Sequence, residues 1–379
     1  MRHRHKKRSV RLPIGVAAAA VTATGGAVTW MWGLQDSGSE PARPAAAPTI
    51  AGAACASGGQ VPASGSTAQQ NAMTYWIKRY QRACPRVQIA YAPLGSGAGV
   101  AQFLRGATSF GGSDSPVASS ETTPADGVCS GGRAVNLPMV GGTIALGYNV
   151  AGVDDLVLDA PTLAKIFDAR IRTWNHPAIR RLNPGTELPA LPITAVHRSD
   201  DSGTTQNFQA YLKGASRGAW PHSAEKAWQG RGGSSASGSD GVAATVGSTA
   251  GAIGYFELSF ASKLGVDTVR IDTGADRPVA PTTKSASAGI AAAKAVGTGK
   301  DLTLEFDYRT SAEGTYPIVL VTYEIVCDRG NKPETLPALK SFLSYTASEA
   351  GQRPLSRIHY APLPESVAAE VRRVVRTLS

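Results

Sequence analysis

The stretch His197-Arg198-Ser199-Asp200-Asp201-Ser202-Gly203-Thr204-Thr205 brings an arginine, several hydroxyl side chains and a glycine into one place. The apolar run 191–196 before it reads as a strand, and Phe208, Tyr211 and Leu212 after it fall at i, i+3, i+4, one face of a helix. A strand-to-helix turn of this composition suits a small tetrahedral oxyanion. The first turn of a helix leaves about four N–H donors unpaired and carries a partial positive charge. An arginine beside it adds a forked, charge-assisted donor. A plainer reading stays open, in which Ser202 caps the helix and Arg198 is a solvated charge.

Two upstream turns share the architecture. Residues 87–94 read as a strand, Gly95-Ser96-Gly97-Ala98-Gly99 as the turn, and Val100, Phe103 and Leu104 as a helix face. Ser96 can offer both its hydroxyl and its N–H to an anion. Earlier, Gly65-Ser66-Thr67-Ala68 precedes a helix marked by Met73, Ile77 and Tyr80, so Thr67 and the Ala68 amide could serve the same anion. A fourth element is Asp114, in Phe110-Gly111-Gly112-Ser113-Asp114-Ser115-Pro116. A carboxylate repels an anion unless that anion carries a proton, whose O–H an ionised carboxylate accepts. Phosphate is protonated at neutral pH and sulfate is not, so Asp114 would admit one and repel the other. Alternatively, Asp114 only pairs with Arg198 or caps a turn.

These turns need a scaffold that holds them together. The chain has 379 residues, enough for two domains or lobes, with 42% hydrophobic and 17% charged residues, a globular composition. Its net charge of +10 is uneven. Arg2, Arg4, Lys6, Lys7, Arg8 and Arg11 precede the first acid, Asp36, and leave only +4 for the rest. That imbalance, with no recognition motif, argues against a nucleic-acid partner. A basic stretch, 1–11, followed by an uncharged one, 12–35, with Trp30 and Trp32 near its outer end, reads as a signal-anchor or a signal peptide. Residues 36–55 then read as a flexible Pro/Ala/Ser/Gly tether. A lipid-modified Cys55 is disfavoured by its neighbours Gly52-Ala53-Ala54.

Four cysteines in an exported chain suggest two disulfides. Cys55 and Cys84 each precede a strand-like run, so parallel neighbours would bring them together. Cys129 precedes the run 134–140 and Cys327 ends the run 318–326, which suits antiparallel neighbours. The expected pairs are therefore 55–84 and 129–327, one of three possible pairings.

Between about residues 61 and 371 the chain resembles the PstS-type phosphate-binding proteins, the extracytoplasmic receptors of ABC phosphate importers. The resemblance rests on the turns quoted above. It also rests on Thr162-Leu163-Ala164-Lys165-Ile166-Phe167, Ile171-Arg172-Thr173-Trp174, Leu182-Asn183-Pro184-Gly185, Gly251-Ala252-Ile253-Gly254-Tyr255 and Tyr360-Ala361-Pro362-Leu363-Pro364. Carried over by position, it implies that Thr67, Ala68 through its N–H, Ser96, Asp114, Arg198, Ser202, Gly203 and Thr204 surround the phosphate, with Asp200 holding the Arg198 guanidinium. Two positions depart from the family. Ala68 stands where a Phe is usual, which removes a packing wall, and Gly95-Ser96-Gly97-Ala98-Gly99 differs from the usual Ser-Ser-Gly-Gly after its first glycine.

The resemblance implies an α/β fold of the two-lobed, periplasmic-binding-protein-like type II class, each lobe a largely parallel sheet, with a ligand cleft between lobes and a two-stranded hinge. Lobe one is expected over 56–141 plus 316–379 and lobe two over 142–315. The expected protein is a monomeric, non-enzymatic receptor without metal or cofactor, with ABC permease subunits and a membrane as partners. The rival readings are a tethered sensor or adhesive module of the same fold, or a receptor for another oxyanion. Three catalytic patterns are set aside. Gly214-Ala215-Ser216-Arg217-Gly218 lacks the preceding strand a nucleophile elbow needs. His197, Asp200 and Ser202 are adjacent in sequence, which is not triad geometry, so His197 is expected to be structural. Gly297-Thr298-Gly299-Lys300 lacks the earlier glycine of a P-loop. The Gly/Ser-rich run 230–241 reads as a loop that, by the resemblance, lies near the cleft.

Overall fold

Strand β1 (Gly59–Gly65), helix α1 (Gln70–Ala83), strand β2 (Val87–Pro93), helix α2 (Ser96–Leu104) and strand β3 (Phe110–Ser113) open the fold. The computed structural model describes residues 48–50, 53–117 and 119–379. Alternation along β2 buries Val87 and Ile89 while Gln88 and Ala90 face solvent. On α1 the buried face is Ala72, Met73, Trp76 and Tyr80, with Ile77 only half-buried. Trp76 is fully buried; an aromatic side chain removes roughly 150–250 Å² from water, which contributes about 4–6 kcal/mol. Its indole N–H donates to the Gly351 carbonyl at 2.8 Å, so burial leaves no unpaired donor.

The second half is built from β4 (Ala134–Tyr148), β5 (Thr194–Arg198), α3 (Gly203–Ala215), β6 (Ser234–Ala236), α4 (Gly238–Ser248), β7 (Ala252–Glu257) and a helix, α5 (Leu258–Leu264), before β8 (Val319–Cys327) returns to the first half. The main sheet runs β2-β1-β3-β8-β4-β7-β5-β6, and Asp267–Thr268 adds a ninth strand against β4. β1 is parallel to β2 and β3, and β5 is parallel to β7 and β6. β8 is antiparallel to β3 and β4, and β7 is antiparallel to β4. The sheet is therefore mixed, not largely parallel, because one long antiparallel pair joins its two parallel wings.

β4 makes that junction. Residues 134–143 pair with β8, with a register shift at Thr322/Tyr323, and 144–148 pair with β7. The same strand gives Val135, Leu137, Met139 and Val140 to one buried cluster and Ile144, Leu146 and Tyr148 to another. The described residues form one compact unit.

Cys55 is bonded to Cys84 and Cys129 to Cys327, the pairs expected from strand order. Ala134 lies opposite Cys327 in the β4–β8 ladder, and Gly59 opposite Val87 in β1–β2. The end of the stretch read as a tether is ordered. Thr49–Ile50 pairs antiparallel with Ala53–Ala54, and the Cys55 N–H donates to the Pro48 carbonyl at 2.9 Å. The basic stretch 1–11 and the uncharged segment 12–35 lie outside the described residues. Among the described residues no helix is long and apolar enough to cross a membrane.

Candidate anion-binding site

The four turns read as anion-binding meet at one place. Thr67, Ala68, Ser96, Asp114, Arg198, Ser202 and Thr204 are 0–4% exposed, and Gly203 is buried among them. Thr67 and Ala68 link β1 to α1, Ser96 is the first residue of α2, and Asp114 follows β3. Arg198 ends β5, and Ser202 is the residue from which α3 departs.

Ser202 caps its helix as the plainer reading expects, its hydroxyl accepting from the Thr205 N–H at 3.2 Å. Arg198 does not follow that reading. Its side chain is buried, and Asp200 grips its guanidinium at two points, one of them Nε to Oδ1 at 2.7 Å. Burial pushes the Asp200 carboxyl up, but the Arg198 hydrogen bond and charge, with the Gly238 N–H at 3.1 Å, outweigh it and hold the group below its ordinary value. The third guanidinium nitrogen, Nη1, donates to Ser239 Oγ at 3.4 Å.

Asp114 faces the same space from the opposite wing. Its carboxylate accepts from Thr204 Oγ1 at 2.9 Å and from Thr322 Oγ1 at 2.8 Å. Its pKa is raised by burial, against the hydrogen bonds of Ser66, Thr322 and Thr204 and the charge of Arg198. The Asp114 N–H donates to Ser96 Oγ at 3.2 Å. Gly203 has to be glycine here, since a Cβ would lie 2.7 Å from Asp114 Cβ and 2.8 Å from Ser96 Oγ. The N–H groups of Gly203 and Thr204 precede the first backbone bond of the helix, Gln206 N–H to Ser202 C=O at 3.0 Å.

The two wings also touch directly. Ser239, at the start of α4, lies with its Oγ 3.2 Å from Thr67 Oγ1, and its N–H donates to that oxygen at 3.1 Å. Gly97 N–H donates to the Asp201 carbonyl at 2.9 Å, and Lys226 pairs with Glu121 at 3.1 Å. The Ala68 amide donates to Ser66 Oγ at 3.0 Å, and its carbonyl accepts from the Tyr360 hydroxyl at 2.6 Å.

Ser239 and Thr322 were not singled out in the sequence. Ser239 lies in the Gly/Ser-rich run 230–241, whose composition signals a turn but not which hydroxyl points inward. Thr322 sits inside an apolar strand run with no local motif. His197 lies flat on Trp228, ring centroids 5.0 Å apart and 7° from parallel, and burial lowers its pKa. Its Nδ1 is 3.0 Å from the Arg198 carbonyl, a packing role. Ser216 of the elbow-like sequence ends α3 and caps it. Among the described residues no group of three His, Cys, Asp or Glu could hold a metal ion.

The site thus combines one arginine already balanced by Asp200, several hydroxyl and N–H donors, and one carboxylate that can only accept. Such a set favours a small oxyanion that brings its own proton.

Comparison with known proteins bears on that chemistry. Residues 49–350 match the PBP superfamily domain. Phosphate-binding protein PstS 3 of Mycobacterium leprae is 45% identical over 322 residues, 84% of this chain and 87% of the relative. The chain belongs to the PstS family of phosphate-binding proteins. A more distant PstS relative, from Methanocaldococcus jannaschii, is 32% identical over 362 residues, 85% of this chain and 90% of its own. A high affinity periplasmic phosphate-binding protein bound with phosphate aligns with a TM-score of 0.69 at 21% identity, over 83% of this chain and 93% of that one. A phosphate binding protein from Stenotrophomonas maltophilia aligns at 0.62 and 18% identity, over the same shares. At those identities the likeness concerns the fold, which is the mixed α/β fold of periplasmic-binding-protein type.

Proposed function

We propose that this chain is the extracytoplasmic receptor of an ABC phosphate importer, closing its two halves on inorganic phosphate and delivering it to the permease subunits. The observation that carries the reading is the meeting of Arg198 and Asp114 in one buried cluster, from opposite wings of the sheet. Thr67, Ser96, the Ala68 amide and the Ser202–Thr204 turn stand around them as hydrogen-bond partners. Relatives named for phosphate binding, at 45% identity over most of the chain, support the same anion.

The halves would be 56–141 plus 316–379 and 142–315, hinged where β4 and β8 pass between them. Closure follows if phosphate contacts both halves, because only a ligand that prefers the closed form can shift the balance toward it. The chain performs no covalent chemistry in this reading. Segment 12–35 would tether a monomer to the outer face of the membrane, on the basis of its sequence pattern alone. Calorimetry with inorganic phosphate and with sulfate tests the core of the proposal. Tight phosphate binding with little sulfate binding is expected, and equal affinities would overturn the role given to Asp114.

A further inference from the structure

Glu324, in the middle of β8, is fully buried, and neither of its carboxyl oxygens makes a hydrogen bond. Gly112 of β3 lies opposite it in the ladder. A Cβ on Gly112 would sit 2.4 Å from Gln69 Nε2 and 2.6 Å from Tyr91 Oη, so the glycine is what lets those side chains lie over the sheet beside Glu324. The Ser66 carbonyl can only accept, so Tyr91 must donate to it, at 2.8 Å. Tyr91 Oη must then accept from Gln69 Nε2, at 3.0 Å. This fixes the Gln69 amide and leaves its Oε1 buried without a donor.

Gln69 is the polar neighbour of the Glu324 carboxyl, and its Oε1 and both carboxyl oxygens are buried acceptors without a donor. The second Nε2 hydrogen could serve a Glu324 oxygen in either protonation state, but only the acid form supplies a donor for Oε1. We propose that Glu324 is held as a neutral carboxylic acid and positions the Ser66–Ala68 turn through Gln69 and Tyr91, so that phosphate binding requires its proton. The inference rests on the phosphate reading of the site.

Charge counting points the same way. Arg198 is matched by Asp200, and Asp114 already adds a carboxylate, so an ionised Glu324 would add a negative charge with no cation to balance it. The groups facing Glu324 are Asp114 after β3, Tyr91 of β2 and Gln69 before α1, while its β4 partner is the apolar Leu137. Burial, with a contribution from Asp114 and against the nearby Gln69 side-chain amide, pushes the Glu324 carboxyl up to about 8. Glu257, the other buried acid whose pKa Asp114 raises, differs: one of its oxygens accepts the N–H and Oγ–H of Ser259 at 2.9 and 2.5 Å.

The test is calorimetry of the whole protein with inorganic phosphate at pH 7 and pH 9, on the wild type and on Glu324→Gln and Glu257→Gln. Phosphate ionises identically in all three experiments, so the comparison cancels it. From pH 7 to 9 the wild type should lose about tenfold more affinity than Glu324→Gln, the factor expected when an acid of pKa about 8 must be protonated to bind. Parallel losses in those two proteins, or relief by Glu257→Gln in place of Glu324→Gln, would overturn the proposal. Infrared spectra provide an independent check: the wild-type minus Glu324→Gln difference, in which the Glu257 carboxyl cancels, should hold a protonated-carboxyl stretch at neutral pH that disappears as the pH is raised. Absence of that band sinks the proposal even if phosphate binds. Its presence in a protein that binds no phosphate would sink instead the phosphate reading and the coupling built on it.

Discussion

Removing the Arg198 side chain would leave Asp200 beside the anion with nothing to neutralise it. Arg198→Ala should therefore weaken phosphate binding by about 3 kcal/mol or more, the usual cost of breaking a buried charge pair. A loss below about 1 kcal/mol in calorimetry would remove Arg198 from the site. Asp114 acts on choice of ligand more than on strength. Asp114→Asn keeps the shape, and keeps both threonine contacts if one hydroxyl turns to accept from the new amide, but removes the charge that repels a fully ionised anion. Sulfate affinity should rise relative to phosphate, and an unchanged ratio measured by competition would show that selectivity lies elsewhere. The motif residues were legible because turn chemistry is local: glycine, hydroxyl and arginine at a strand–helix junction carry their geometry with them. Thr322 and Glu324 were not legible. Their importance comes from strand β8 lying against β3, a pairing between residues more than 200 positions apart.

At the scale of elements, the site is an assembly of helix starts brought together by the sheet. The strand–helix order of the first half was readable from periodicity, as were the disulfide pairs, because strand order dictates which ends meet. Boundaries were less so. α3 begins at Gly203, five residues before Phe208, where its apolar periodicity starts, since its first turn faces the site and not the core. α4 was hidden altogether, because Gly238 to Ser248 is too small and polar to show a helical stripe. Its first turn nevertheless supplies Ser239, which bridges Thr67 and Arg198. Ser239→Ala should weaken phosphate binding by about 0.5–1.5 kcal/mol, the net worth of an ordinary hydrogen bond. An unchanged dissociation constant would show that α4 only buttresses the turn.

For the whole molecule, buried acids set the response to pH. Glu257 and Glu324 are each pushed by burial up to about 8, well above an ordinary carboxyl. Between about pH 4.5 and 8 the folded chain consequently binds more protons than the unfolded one, and stability falls as pH rises through that window. Asp200 has the opposite sign, since its folded pKa is depressed. Its contribution is present above the ordinary carboxyl pKa and is lost only as pH falls below that range. Chemical denaturation of the phosphate-free protein should show stability declining from pH 5 to pH 8, with a shallower slope in Glu324→Gln. A profile that rises across this range would contradict the burial of both acids as neutral groups. The antiparallel junction of the sheet was legible only through its cysteines, Cys129 before one run and Cys327 at the end of the other, because the two buried apolar runs carry no direction of their own.

Strand β4 has a consequence for anyone cutting the gene. It is the border of both halves at once, paired along 134–143 with a strand that arrives almost two hundred residues later. A fragment that stops before Val319 would display that border as a row of bare amides and carbonyls flanked by Val135, Leu137 and Met139. An edge of that kind recruits strands from other chains. Truncated versions of this receptor should therefore clump instead of folding as half-proteins, and expression boundaries belong outside β1 and the C-terminal helix Glu365–Arg376.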